Sequence, residues 1–141
     1  MMGLLKAHRK RILMNNRVGL WIDHRKTIFV TISDEKEEIT RIESDMEKHV
    51  RFSGAPQEGL GEDQRDRQFS VHLDKYYDEV ISRINNAKSI LIMGPGEAKG
   101  EFAKRLRNVG FGERIVGVET VDKMTDRQIA ARVRQHFVTE S

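Results

Sequence analysis

Ser89-Ile-Leu-Ile-Met-Gly-Pro-Gly-Glu-Ala-Lys-Gly-Glu-Phe-Ala-Lys-Arg-Leu106 contains a strand, a turn and a helix in direct succession. Ile90, Leu91, Ile92 and Met93 form an apolar run too short for a helix and suited to a strand covered on both faces. Gly94-Pro95-Gly96 stops that strand and turns the chain. Phe102, Ala103 and Leu106 then recur at helical spacing, which predicts a helix packed back over the strand. A unit of this kind belongs to a parallel α/β layer, and the flanking chain must supply elements that cover it.

Upstream, Gln68 to Asn86 has a helical stripe of Phe69, Leu73, Tyr76 or Tyr77, Val80, Ile81 and Ile84. Of the adjacent tyrosines, one ring is expected inside and one near the surface. Ser53 to Arg67 holds Gly54, Pro56, Gly59 and Gly61 with Leu60 as its one large apolar residue, and is expected to be a mobile surface loop. A loop of that length is either functional or a tolerated insertion. Earlier still, Val18–Asp23 and Thr27–Ser33 are β-rich runs separated only by His24-Arg25-Lys26, so they pair as an antiparallel hairpin. Glu38–Glu43, with Ile39 and Ile42 among charges, is expected as a third, edge strand. Val50-Arg51-Phe52 extends it or forms a further short strand.

Downstream, Asn108–Gly112 is a glycine-rich connection and Arg114–Glu119 the last strand. Thr125 and Gln128 have capping-box spacing, and Ile129, Val133 and Phe137 line a helix ending near Val138. The order β-β-β-α-β-α-β-α predicts an α/β fold of the ribonuclease-H-like type. Its mixed five-stranded sheet has three antiparallel meander strands, then two crossover units. Right-handed crossovers leave few ways to assemble it, and the expected result has strand one beside strand four with helices on both faces.

With 141 residues, 38% hydrophobic and 33% charged, the chain is expected to form a single domain over 16–141, preceded by a basic extension over 1–15. It has no cysteine, which excludes disulfides and thiolate metal sites. No apolar run has the length of a membrane span, and a cytoplasmic protein is expected. The N-terminal residues 1–13 contain Lys6, Arg9, Lys10 and Arg11 and no acid; without these four, 21 basic residues face 22 acidic ones. The formal charge of +3 therefore comes from the tail, which is either an extension upstream of a start at Met14 or a basic arm that touches phosphate.

Gly94-x-Gly96 between strand and helix invites a phosphate-binding reading. However, a dinucleotide fingerprint needs a third glycine where Lys99 stands, and Lys99-Gly100-Glu101 lacks the hydroxyl of a P-loop. Glu97 and Glu101 would compete with an anion for the helix start. Asp23, Asp45, Glu119 and Asp122 invite a two-metal reading, but strand four brings no carboxylate to it and Asp23 suits a turn. His8, His24, His49, His72 and His136 lack metal-ligand spacing. No metal and no cofactor is expected. Trp21 is expected to face a helix.

From Ile90 to Phe102 the chain resembles the central domain of the archaeo-eukaryotic peptide-chain release factors and their Pelota relatives. There an apolar strand enters Gly94-Pro95-Gly96, and Lys99, an acidic residue and Phe102 open the helix. The similarity extends over roughly Arg17 to Phe137. Small bacterial proteins labelled host-attachment or translational-machinery proteins are also similar, at Val118–Asp126.

The resemblance implies a ribosome-directed role. In release factors the loop before the long helix carries Gly-Gly-Gln, whose backbone N–H promotes ester hydrolysis. Here Ser53–Arg67 has Gly54-Ala-Pro-Gln57 and Gly61-Glu-Asp-Gln64 instead. Pro56 removes an N–H, and Glu58, Glu62, Asp63 and Asp66 put negative charge where ribosomal RNA would be met. The expected function is accordingly a non-catalytic ribosome- or RNA-associated accessory protein, with Arg25, Lys26, Arg65, Arg67 and Lys99 as RNA contacts. The alternatives are a protein-interaction module using loop 53–67 and the edge strand, or a residual peptidyl-tRNA esterase using Gln57 or Gln64.

Overall fold

β1 (Arg17–Ile22), β2 (Lys26–Ile32) and β3 (Glu37–Glu43) form the opening meander. Then come α1 (Glu62–Ile84), β4 (Ser89–Gly94), α2 (Ala98–Asn108), a 3₁₀ turn (Gly112–Arg114), β5 (Ile115–Thr120) and α3 (Asp126–Glu140). The computed structural model describes residues 16–33, 36–44 and 62–140.

The sheet order is β3-β2-β1-β4-β5, with β1 antiparallel to β2 and parallel to β4. Val18 lies opposite Ile90, Leu20 opposite Ile92 and Trp21 opposite Met93, so β4 sits mid-sheet between β1 and β5. This is the ribonuclease-H-like arrangement expected from the sequence.

Successive residues of a strand point to opposite faces, which explains why the apolar run at 90–93 is continuous. Val18, Leu20, Ile22, Ile90 and Ile92 face α1 and α2, where Tyr76, Tyr77, Val80, Ile84, Phe102 and Leu106 complete a core. Trp21, Ile28, Val30, Leu91 and Met93 face α3 through Ile129, Ala130, Val133 and Phe137. Gly19 is where α3 crosses the sheet: a Cβ there would collide with the side chain of Val133.

The two edges differ. β3 exposes Glu37, Glu38, Arg41 and Glu43, with Lys36–Glu38 at 2.8 Å, Arg134–Glu37 at 2.8 Å and Arg41–Asp126 at 3.2 Å. β5 carries the pair Arg132–Glu119 at 2.6 Å and leaves Val116 and Val118 37% and 40% exposed, beside 46% for Ile39 on β3. Among the described residues no helix is long and apolar enough to cross a membrane.

Four expectations change. Glu62–Arg67 are not loop but the first turns of α1. The polar run at 62–67 carries no apolar stripe, so the hydrophobic pattern does not separate helix from loop there. Tyr76 and Tyr77 are both buried, at 4% exposure each, because α1 lies against the sheet and α2 at once. Arg114 belongs to the 3₁₀ turn, so β5 starts at Ile115; α3 continues to Glu140. Val50-Arg51-Phe52, residues 1–15, Gln57 and the rest of 45–61 lie outside the described residues.

Candidate functional site

The carboxyl ends of β1 and β4 come together because the strands run parallel in register, and the β1–β2 corner meets the Gly-Pro-Gly turn there. Asp23 builds its own corner: its Oδ1 accepts the backbone N–H groups of Arg25 and Lys26, both at 2.8 Å. This is the local aspartate turn expected of the residue type. Ser44 donates from its hydroxyl to the His24 carbonyl at 2.7 Å, tying the end of β3 to the same corner.

Across the corner, Gly94 has no room for a side chain, since a Cβ would strike the carbonyl oxygen of Ile22. The Gly94 carbonyl accepts the Val121 N–H at 3.0 Å, and Lys99 Nζ donates to the Gly96 carbonyl at 2.6 Å. The turn is thus closed by the chain's own groups. Glu97 precedes α2 without capping it through its side chain.

Glu101, in the first turn of α2, receives two hydrogen bonds: Tyr77 Oη donates at 2.6 Å and His24 Nε2 lies 3.0 Å away. Desolvation pushes the Glu101 carboxyl up, but the hydrogen bonds from Tyr77 and His24 and the charge of His24 outweigh it, leaving its pKa below the ordinary value. Tyr76 Oη donates to the Asp23 carbonyl at 3.1 Å and lies 2.6 Å from Thr27 Oγ1. Having one proton, the phenol gives it to Asp23, so Thr27 donates to Tyr76. Burial raises both phenols far above their usual pKa; Glu101 raises Tyr77 further, while the Thr27 bond opposes the rise at Tyr76.

His24, Tyr77 and Glu101 were not grouped by the sequence reading, although β1–β4 adjacency implied that residues following β1 would meet the first turn after β4. Arg25, Lys26 and Lys99 do share this corner. Lys26 Nζ lies 5.6 Å from the ring centroid of Trp21, whose Nε1 donates to the Asp122 carbonyl at 3.1 Å. Phe102 is fully buried beneath the corner, 5.8 Å from Tyr77 between ring centroids. Gln64, Arg65 and Arg67 stand on α1. At about 1.5 Å per residue, Arg67 is roughly 13 Å and Gln64 roughly 18 Å along the helix from Tyr76. The corner and those residues are therefore separate features. Among the described residues no group of three or more histidine, aspartate or glutamate side chains is placed to hold a metal ion.

A mixed sheet of this order, meander first and crossovers after, defines an α/β domain of ribonuclease-H-like fold, and solved structures share it. The Pelota protein of Thermoplasma acidophilum is similar over 98% of this chain and 36% of its own, with TM-score 0.55 and 16% identity. Archaeoglobus fulgidus Pelota is similar over 97% of this chain and 37% of its own, with TM-score 0.56 and 14% identity. The chain thus spans little more than a third of the solved chains it matches, and at these identities the likeness is one of fold. The sequence matches no protein-family model and no curated protein.

Proposed function

We propose that this chain is a non-catalytic, ribosome- or RNA-associated accessory protein of the translation machinery, built on the scaffold of a release-factor central domain without Gly-Gly-Gln. The observation that carries the reading is the fold match to Pelota, which takes in 97–98% of the chain. It agrees with the resemblance carried by Ile90–Phe102. A helical Gln64 also fits poorly with a glutamine that must deliver its backbone N–H from a glycine-permitted loop.

Cosedimentation tests the reading. The protein is expected to travel with ribosomes at low salt and leave them at high salt; remaining at the top of the gradient at every salt concentration overturns it. Peptidyl-tRNA release that depends on Gln57 or Gln64, abolished when both become alanine, would favour the esterase instead. A protein-interaction role draws on one observation, the apolar β5 edge with Val116 and Val118 exposed. A pull-down insensitive to ribonuclease distinguishes it.

A further inference from the structure

β5 ends the sheet, and among the described residues no strand pairs with its outer side. The Val121 N–H bonds to the Gly94 carbonyl at 3.0 Å. Backbone groups of successive strand residues turn to alternate sides. Gly117, Glu119 and Val121 therefore turn theirs towards β4, and Val118 and Thr120 turn theirs outward. The register shift opposite Ile90 and Leu91 falls at the start of β5, which leaves a regular ladder from Gly117 to Thr120. The outer side thus offers N–H and C=O groups in strand geometry, beside the exposed Val116 and Val118. β3 is guarded differently: its exposed Ile39 stands in a run of Glu37, Glu38, Arg41 and Glu43, and Arg134 and Asp126 of α3 hold two of those charges. From Ile115 to Val118 β5 has neither charge nor proline, and Glu119 is held by Arg132 of α3.

This edge is complementary to itself. Antiparallel pairing about a two-fold axis sets residues that turn to the same side opposite each other, so the axis must pass beside one residue of the strand. With the axis at Val118, the two copies of Val118 exchange N–H···O=C bonds, and Thr120 lies opposite Val116. Gly117 lies opposite Glu119, and having no side chain it leaves room for that carboxylate and its Arg132. Continued past the strand ends, the same count brings Arg114 opposite Asp122 and Glu113 opposite Lys123. Glu113, Asp122 and Lys123 are exposed and belong to no ion pair among the described residues. An axis at Val116 would set Glu113 against Glu119, and one at Glu119 would set that carboxylate against itself. An axis at Gly117 brings no opposite charges together. Charge therefore selects Val118.

We infer that β5 pairs antiparallel with β5 of a second copy of this chain about Val118, joining the two sheets into one. The pairing goes beyond the translation role proposed above and does not depend on it. Main-chain bonds supply the attraction, the valines are withdrawn from water, and the charges at the strand ends fix the register.

Sedimentation equilibrium of the full chain, freed of nucleic acid by ribonuclease, tests the pairing. The mass is expected to rise with concentration from one copy towards two and to stop there, because a two-fold contact closes. A mass that stays at one copy up to about 1 mM, or climbs past two, overturns the inference. Thr120→Pro removes an outward N–H and no bond to β4, which an edge strand tolerates, so it should keep the circular dichroism of the parent and hold the chain at one copy. Val118→Lys, at an exposed position, should do the same and serves if the proline variant fails to fold. A folded variant of either kind that dimerises like the parent overturns the inference. The register is read separately. The chain has no cysteine, so Val118→Cys puts one thiol in each copy. With Cα atoms about 5.5 Å apart, these should form a disulfide-linked dimer on mild oxidation, whereas Thr120→Cys should form none. Glu113→Lys should weaken dimerisation and Glu113→Lys/Lys123→Glu restore it; crosslinking at Thr120 instead of Val118, or no recovery in the double variant, overturns the assigned register.

Discussion

Tyr76 and Tyr77 are neighbours in sequence, yet both hydroxyls end at the same buried corner, one against Thr27 and Asp23, the other on Glu101. Burial holds both in the neutral form above the ordinary pKa of 10.0. A folded value above the unfolded one means that their contribution is intact below pH 10.0 and lost as pH rises beyond it. These are the only tyrosines in the chain. The phenolate absorption band is therefore expected to appear together with loss of far-ultraviolet circular dichroism, and a band growing in near pH 10 with the fold intact contradicts the burial. Glu101 has the opposite sign. Its folded pKa lies below the ordinary 4.5, so its contribution is present above pH 4.5 and lost as pH falls through the folded value. Glu101→Gln should flatten the acid limb of a stability–pH profile from urea titrations, and Tyr77→Phe should cost about 1 kcal/mol at neutral pH.

At the scale of elements, α3 is specified at both its start and its contact with the sheet. Gln128 N–H donates to Thr125 Oγ1 at 3.2 Å and Thr125 N–H to Gln128 Oε1 at 2.9 Å, the reciprocal pair expected from the spacing. Thr125→Ala is expected to lower stability by about 1 kcal/mol in chemical denaturation. At the crossing point, Gly19→Ala forces its methyl into Val133 and should cost about 1–3 kcal/mol; Val133→Ala in the same chain should recover part of that loss. The helix and strand patterns were legible wherever an apolar stripe had to face a core. They were not legible at Glu62–Arg67, where α1 continues with polar residues and nothing in the hydrophobic pattern distinguishes helix from loop. The second tyrosine was missed for a related reason: periodicity predicts one inward stripe, whereas α1 packs against the sheet and α2 together.

For the molecule as a whole, the two cores share β1, β2 and β4, so neither helical layer has an independent sheet to hold it. Trp21 reports the α3 face and the tyrosines report the α1–α2 face. Tryptophan emission and tyrosine near-ultraviolet dichroism are therefore expected to change at one denaturant midpoint, and two separated transitions would show the faces to be uncoupled. The strand order was legible in the chain, because a tight hairpin must be antiparallel, right-handed crossovers leave few arrangements, and the charges of β3 mark it as an edge, which leaves β1 to neighbour β4. The approach of His24 to Glu101, 77 residues apart, needed the closure of that sheet. Local pattern determines which elements form, for it depends on neighbours a few residues away. Which charges share a surface depends on where the helices end and the strands begin, and packing in three dimensions decides that.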